Sequence, residues 1–135
     1  MQKCEHFRIY ELVDPGTYSR FGQKCWEFFD FNALVTLDLL REQFGQATVN
    51  NWKWGGNYQW SGLRTLNCTI GADLSQHRFG RAFDVKFKNV SANEVRQHIR
   101  GDQEYWSEHI SRIENKVSWF HFDIANCEGI KWINP

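Results

Sequence analysis

The segment SQHRFGRAFDVKF, Ser75 to Phe87, joins a turn to a strand. From Arg81 the side chains alternate: Ala82 against Phe83, Asp84 against Val85, Lys86 against Phe87. Alternation with period two sends successive side chains to opposite faces, so this strand has two different faces. Upstream, Gly80 permits a turn and Ala82 a close approach of backbone, so that His77 can loop back towards Asp84. An imidazole nitrogen and a carboxylate oxygen both ligate zinc, and catalytic zinc sites commonly take three protein ligands and leave one position open. Spacing alone favours a second reading, a satisfied core histidine beside a turn.

A third donor is available in VSWFHFDIAN, Val117 to Asn126, where Trp119, His121 and Asp123 share one face and Phe120, Phe122 and Ile124 the other. An imidazole with a carboxylate two residues along the same face is a ligand candidate with polar support at hand. Ile110 to Glu114 and Val117 to Ile124 are expected to be two strands around a turn at Asn115-Lys116. His6, His98 and His109 lack comparable surroundings and are expected on the surface or on helices.

Working outward, Leu34, Leu37, Leu40 and Phe44 recur at three- and four-residue spacing. That pattern predicts a helix from Ala33 to Phe44, capped by Asn32 and ended by Gly45. Ser91 and Glu94 form a capping box that opens a second helix with Val95, His98 and Ile99, and a third, short one is expected around Gln103 to His109. The first thirty residues, with Tyr10, Pro15, Gly16 and Gly22, are expected to be irregular with one or two short strands. Ala47 to Trp52 is expected to be a further short strand. WKWGGNYQWSGLRT, Trp52 to Thr65, holds three Trp and three Gly; its rings either line a surface cleft or cover the core, and covering the core is the favoured reading. The sum is an α+β fold, a small antiparallel or mixed sheet packed with a few helices, in one domain over residues 1–135.

Composition narrows the function classes. Lys plus Arg and Asp plus Glu number 16 each, with no basic run, which is not the electrostatic footprint of a nucleic-acid binder. No apolar run is long enough to span a bilayer. Charge falls too early in MQKCEHFRIYE for a signal peptide. The four cysteines, at 4, 25, 68 and 127, form no CxxC pair, so reduced thiols are expected.

SQHRFGRAFD fits the SxHxxGxAxD pattern of the M15-type zinc peptidases, the D-Ala-D-Ala peptidase family, which cleaves bacterial cell-wall stem peptides. SWFHFD resembles the family's late WxHxD element, and SGLR, Ser61 to Arg64, its SGYR segment. The three occur in the family's order and cover roughly residues 30 to 125; the tail NCEGIKWINP and the run RIENKVSWFHFD look most like small M15-like proteins of bacteriophages. The resemblance implies a Hedgehog/D,D-peptidase fold with Zn2+ held by His77, Asp84 and His121. It implies that Ser75 fixes the loop or the substrate, and that Arg64 points its guanidinium at the substrate to stabilise negative charge. The implied substrate is a peptidoglycan peptide, the expected state a monomer without nucleic-acid or membrane partners. A lytic enzyme of this kind would be made in the bacterial cytoplasm and act at the cell wall. Carboxypeptidase and endopeptidase action both stay open.

One position departs from the family. The ExxH glutamate place is Ser118, and the nearest upstream acid before His121 is Glu114. Hedgehog-like domains place a glutamate about this far upstream, which makes Glu114 the candidate base, with His109 and Asp102 as alternatives from loops. A two-residue turn at Asn115-Lys116 would pair Glu114 with Val117 and Ile110 with His121. Four residues along a strand is roughly 13 Å, so a bulge would then be needed. Two further functions are therefore carried: a zinc-holding, peptidoglycan-binding module that lost catalysis, and a structural component of a virion.

Overall fold

A computed structural model describes residues 3–126 and 128–135. Its architecture is α+β, a mixed five-stranded sheet packed with a few helices. The strands are β1 (Ala47–Thr48), β2 (Ala82–Phe87), β3 (Arg112–Glu114), β4 (Phe120–Asp123) and β5 (Lys131–Ile133), in the spatial order β1-β2-β4-β3-β5. All neighbours are antiparallel except β3 and β5, which run parallel. The helices are α1 (Pro15–Phe21), α2 (Phe31–Phe44), α3 (Ala92–Arg100) and α4 (Gln103–Trp106).

The alternation in β2 and β4 divides the sheet. Phe83, Val85, Phe120 and Phe122, with Ile113 of β3, are buried against Leu34, Leu37 and Leu40 of α2 and Val95 and Ile99 of α3. Phe29 stacks on Phe83 at 5.6 Å between ring centroids, and Phe83 meets Phe122 at 5.8 Å. Each such ring removes a large apolar area from water, and together they fix which face looks inward. The opposite face carries Asp84 and Lys86 from β2, His121 and Asp123 from β4, and Arg112 and Glu114 from β3. Among the described residues no helix is long and apolar enough to cross a membrane.

The structure corrects four local expectations. No strand forms in the described part of the first thirty residues; 3-10 turns at Ile9–Glu11 and Gly22–Phe28 flank α1. Asp14 caps α1 by accepting from Thr17 N at 3.2 Å, and Pro15 fills the first helical position, where a missing N–H costs nothing. Helix α2 begins earlier than Ala33: Asp30 is its cap, its carboxylate accepting from Asn32 N at 2.8 Å. The strand at residue 47 stops at Thr48, because Trp52 already belongs to a 3-10 turn, Trp52–Trp54.

The aromatic loop is the fourth. Trp52 does cover the interior, donating Nε1–H to Val13 O at 2.7 Å, but Trp54 is 64% exposed and Tyr58 48%. Trp54 and Tyr58 lie on the surface rather than over the core, and Trp60 is half-buried between the two. Cys4, Cys25 and Cys68 are buried thiols; Cys127 lies outside the described residues. Burial pushes the Cys25 thiol up to about 11.

Candidate metal centre

Three segments meet on the polar face of the sheet. Asp84 stands directly across the β2–β4 ladder from His121. His77 arrives from a 3-10 turn, Gln76–Phe79, whose N-cap is Ser75; the Ser75 hydroxyl accepts from His77 N at 3.3 Å. Ser75 thus fixes the loop in which His77 sits. The turn ends at Gly80 with φ 68°, and a Cβ there would fall 2.0 Å from Phe28 O, so both the left-handed backbone and the close approach require glycine. The SGLR segment lies along both partners: Ser61 O accepts from Asp84 N at 2.8 Å, and Arg64 N donates to His77 O at 3.1 Å.

The three side chains offer ligand atoms that all lie within 4.8 Å of one another, and all three residues are buried. His77 Nε2 is 3.3 Å from Asp84 Oδ1, and His121 Nδ1 is 2.9 Å from the same oxygen. Each ring is braced from behind. His77 Nδ1 meets Gly62 O at 2.9 Å; a carbonyl only accepts, so the proton sits on Nδ1 and Nε2 is the nitrogen turned to Asp84. His121 Nε2 meets Asp123 Oδ2 at 3.0 Å, and Asp123, fully buried, is gripped in turn by Arg112 Nε at 2.9 and 3.1 Å. Outer partners of this kind orient ligating imidazoles in metal sites. Two imidazoles and one carboxylate, braced with their free atoms converging, fit a zinc-type ion by the chemistry of the donor set.

Electrostatics follow from the same bonds. Burial works against a charged His121, but its bonds to Asp123 and Asp84 outweigh that and raise it to about 9. Burial likewise disfavours ionised Asp84, yet the bonds with His121 and His77 hold it well below the usual carboxylate range. Asp123 is lowered as well, against its burial, by His121 and Arg112.

Glu114 is where the geometry differs most from the sequence expectation. Arg112 pairs with Asp123 and Ile113 with Phe122, so the next step sets Glu114 opposite His121, not opposite Val117. Its Oε1 is 3.9 Å from His121 Nδ1, and no bulge is needed. The connection is a wide loop over residues 115–119, with Lys116 at φ 60°, and Asn115 N donates to Ile133 O of β5 at 2.7 Å instead of closing a tight hairpin. The alternatives fall elsewhere: His109 packs on Tyr105 and Trp106, and Asp102 precedes α4.

Arg64 donates Nε–H to Trp60 O at 2.9 Å and pairs through Nη2 with Asp84 Oδ2 at 3.1 Å. Beside it opens a cleft of about 270 Å³ walled by Tyr58, Trp60, Ile70 and Trp119, with Asp84, Lys86 and Arg64 along it. A larger groove, about 690 Å³, shares Arg64 but contains none of the three converging residues. The sequence pattern marks Lys86 only as a strand residue and gives no sign of its place beside the site. Its Nζ donates to Val49 O at 2.6 Å and Ser61 Oγ at 2.8 Å and lies 4.0 Å from the centre of the Tyr58 ring. Its burial lowers it to about 8. Gly62 was also missed, since what it supplies is a carbonyl, which no side-chain pattern marks. The position itself demands glycine, because a Cβ would fall 2.1 Å from Leu12 O.

Replacing Asp123 with asparagine tests the bracing. Metal affinity is expected to fall about 10- to 100-fold with the fold retained, read by titrating the metal-free protein with Zn2+. Unchanged affinity would mean that Asp123 only holds Arg112.

No family model matches the chain, and no curated protein or solved structure matches it at a significant level.

Proposed function

We propose that the chain is a zinc-dependent peptidase of M15 type that hydrolyses peptide bonds in bacterial peptidoglycan stem peptides. The observation that carries this reading is the convergence of His77, Asp84 and His121 within 4.8 Å, each imidazole braced from behind, with the Glu114 carboxylate 3.9 Å from His121. His77, Asp84 and His121 would hold a zinc ion, which when bound would supply Lewis acidity to the attacking water and the scissile carbonyl. Glu114 is the acceptor for the proton of that water and the donor to the leaving amine. Arg64, anchored on Trp60 O and ion-paired through Nη2 with Asp84, sets a fixed cation at the edge of the cleft, where it offsets negative charge developing on the substrate beside that pair. Tyr58, Trp60 and Trp119 provide apolar walls against which a peptide is seated. The choice of peptidoglycan as substrate rests on the SGLR, SQHRFGRAFD and SWFHFD resemblances.

The test is release of free amino groups from purified peptidoglycan. Release is expected with the zinc-loaded protein, abolished by a chelator and restored by added Zn2+. Release that ignores the chelator would remove the metal from the mechanism. The aromatic walls of the cleft favour a second reading, a peptidoglycan-binding module, and retained binding without any release would establish it.

A further inference from the structure

Arg96 lies on α3, outside the SGLR, SQHRFGRAFD and SWFHFD segments, and is 3% exposed. A guanidinium buried to this degree ordinarily meets a carboxylate. This one spends its donors on backbone carbonyls: Nε on Glu114 O at 3.0 Å, and Nη2 on Val117 O at 2.6 Å and Trp119 O at 2.7 Å. Nη1 reaches Asn93 Oδ1 at 3.5 Å. The three carbonyls belong to the end of β3, the middle of the wide loop and the residue before β4. One rigid fork therefore spans the opening between the two strands. Neighbouring Arg100 adds a bond from Nη2 to Asn115 Oδ1 at 2.8 Å.

This grip bears on the hairpin register. A tight turn at Asn115-Lys116 would pair Glu114 with Val117, about 13 Å along the strand from His121. With residues 115–119 held open, Glu114 falls opposite His121 instead. The geometry points to Arg96 as the positioning residue for Glu114: through the carbonyls of Glu114, Val117 and Trp119 it holds the loop that brings the Glu114 carboxylate to the metal centre. The inference rests on the peptidase reading for its kinetic consequence, but not for its structural one. His77, Asp84 and His121 are fixed by bonds that do not involve Arg96, so metal uptake and base placement are separable.

Arg96→Lys keeps the charge and loses the fork, since a single ammonium is not shaped to span three carbonyls as a planar guanidinium does. On peptidoglycan fragments its kcat is expected to fall about 100-fold with KM and zinc content unchanged, the scale for a group misplaced by about 1 Å. Combined with Glu114→Gln, it should add little further loss, because both changes remove the same function. A second readout needs no turnover. In the NMR spectrum of the zinc-loaded protein, the nuclear Overhauser contact between the Glu114 γ-protons and the His121 ring should vanish in Arg96→Lys, while cross-strand contacts between Asp84 and His121 persist. Wild-type kcat, an additive loss in the double variant, or a persisting Glu114–His121 contact would each overturn the proposal. Simultaneous loss of the Asp84–His121 contacts would too, by showing that Arg96 serves the whole fold. If the wild type proves inert, the peptidase reading fails and the NMR contact alone decides the role of Arg96.

Discussion

His77→Ala is expected to leave the protein without bound zinc, where the wild type is expected to carry about one ion per chain by elemental analysis after purification without metal-affinity steps. The loss should exceed the 10- to 100-fold weakening that follows removal of an outer partner, because an inner donor is gone. His77 is buried, so the alanine also opens a cavity and lowers stability. Asp84→Asn separates the two effects. The amide preserves the volume of the carboxylate but carries no charge, and it is expected to lose zinc as well. Zinc retained in both variants would move the ion off this site, and the exposed Glu5, His6 and Glu42 group would be the next place to look.

Glu114→Gln is expected to lower kcat by about 10²- to 10⁴-fold, the usual range for a positioned proton-transfer group, while zinc content and peptidoglycan binding stay as in the wild type. The substitution is nearly isosteric, and the side chain is on the polar face of the sheet rather than in the core. A loss confined to turnover therefore assigns the proton transfer to this carboxylate. Wild-type kcat in the glutamine variant would dismiss Glu114 as the base, and Asp123, on the other side of His121, would inherit the question.

What the sequence made readable was local. β2 and β4 alternate without interruption, so their faces, and the sharing of one face by His121 and Asp123, followed from period two alone. His77 and Asp84 sit close together in one motif whose glycine has a geometric necessity. The register of the β3–β4 hairpin was not readable, because its loop is held by Arg96, 18 residues upstream of Glu114 and on a different element. A turn rule that looks only at Asn115-Lys116 chooses the tight hairpin and misplaces the base. The helical turns before residue 30 were missed for another reason. Ile9, Leu12 and Val13 do fall at three- and four-residue spacing, but over little more than one turn, too short to mark a helix, and the buried Phe7 and Trp26 stand outside that pattern. Asp14-Pro15 was the available signal for α1.

Asp84 and His121 face each other across the two strands that make the centre of the sheet, yet they are 37 residues apart in the chain. Their donor atoms therefore have no common position until that central pair has closed, so an ion held there would be a ligand of the native state alone. By mass action, free zinc at 100 times its dissociation constant would add about 2.7 kcal/mol to the unfolding free energy. Midpoint temperatures for this protein would then rise with free zinc, and a substitution deep among the phenylalanines of β2 and β4 would register as weakened metal uptake although it touches no ligand.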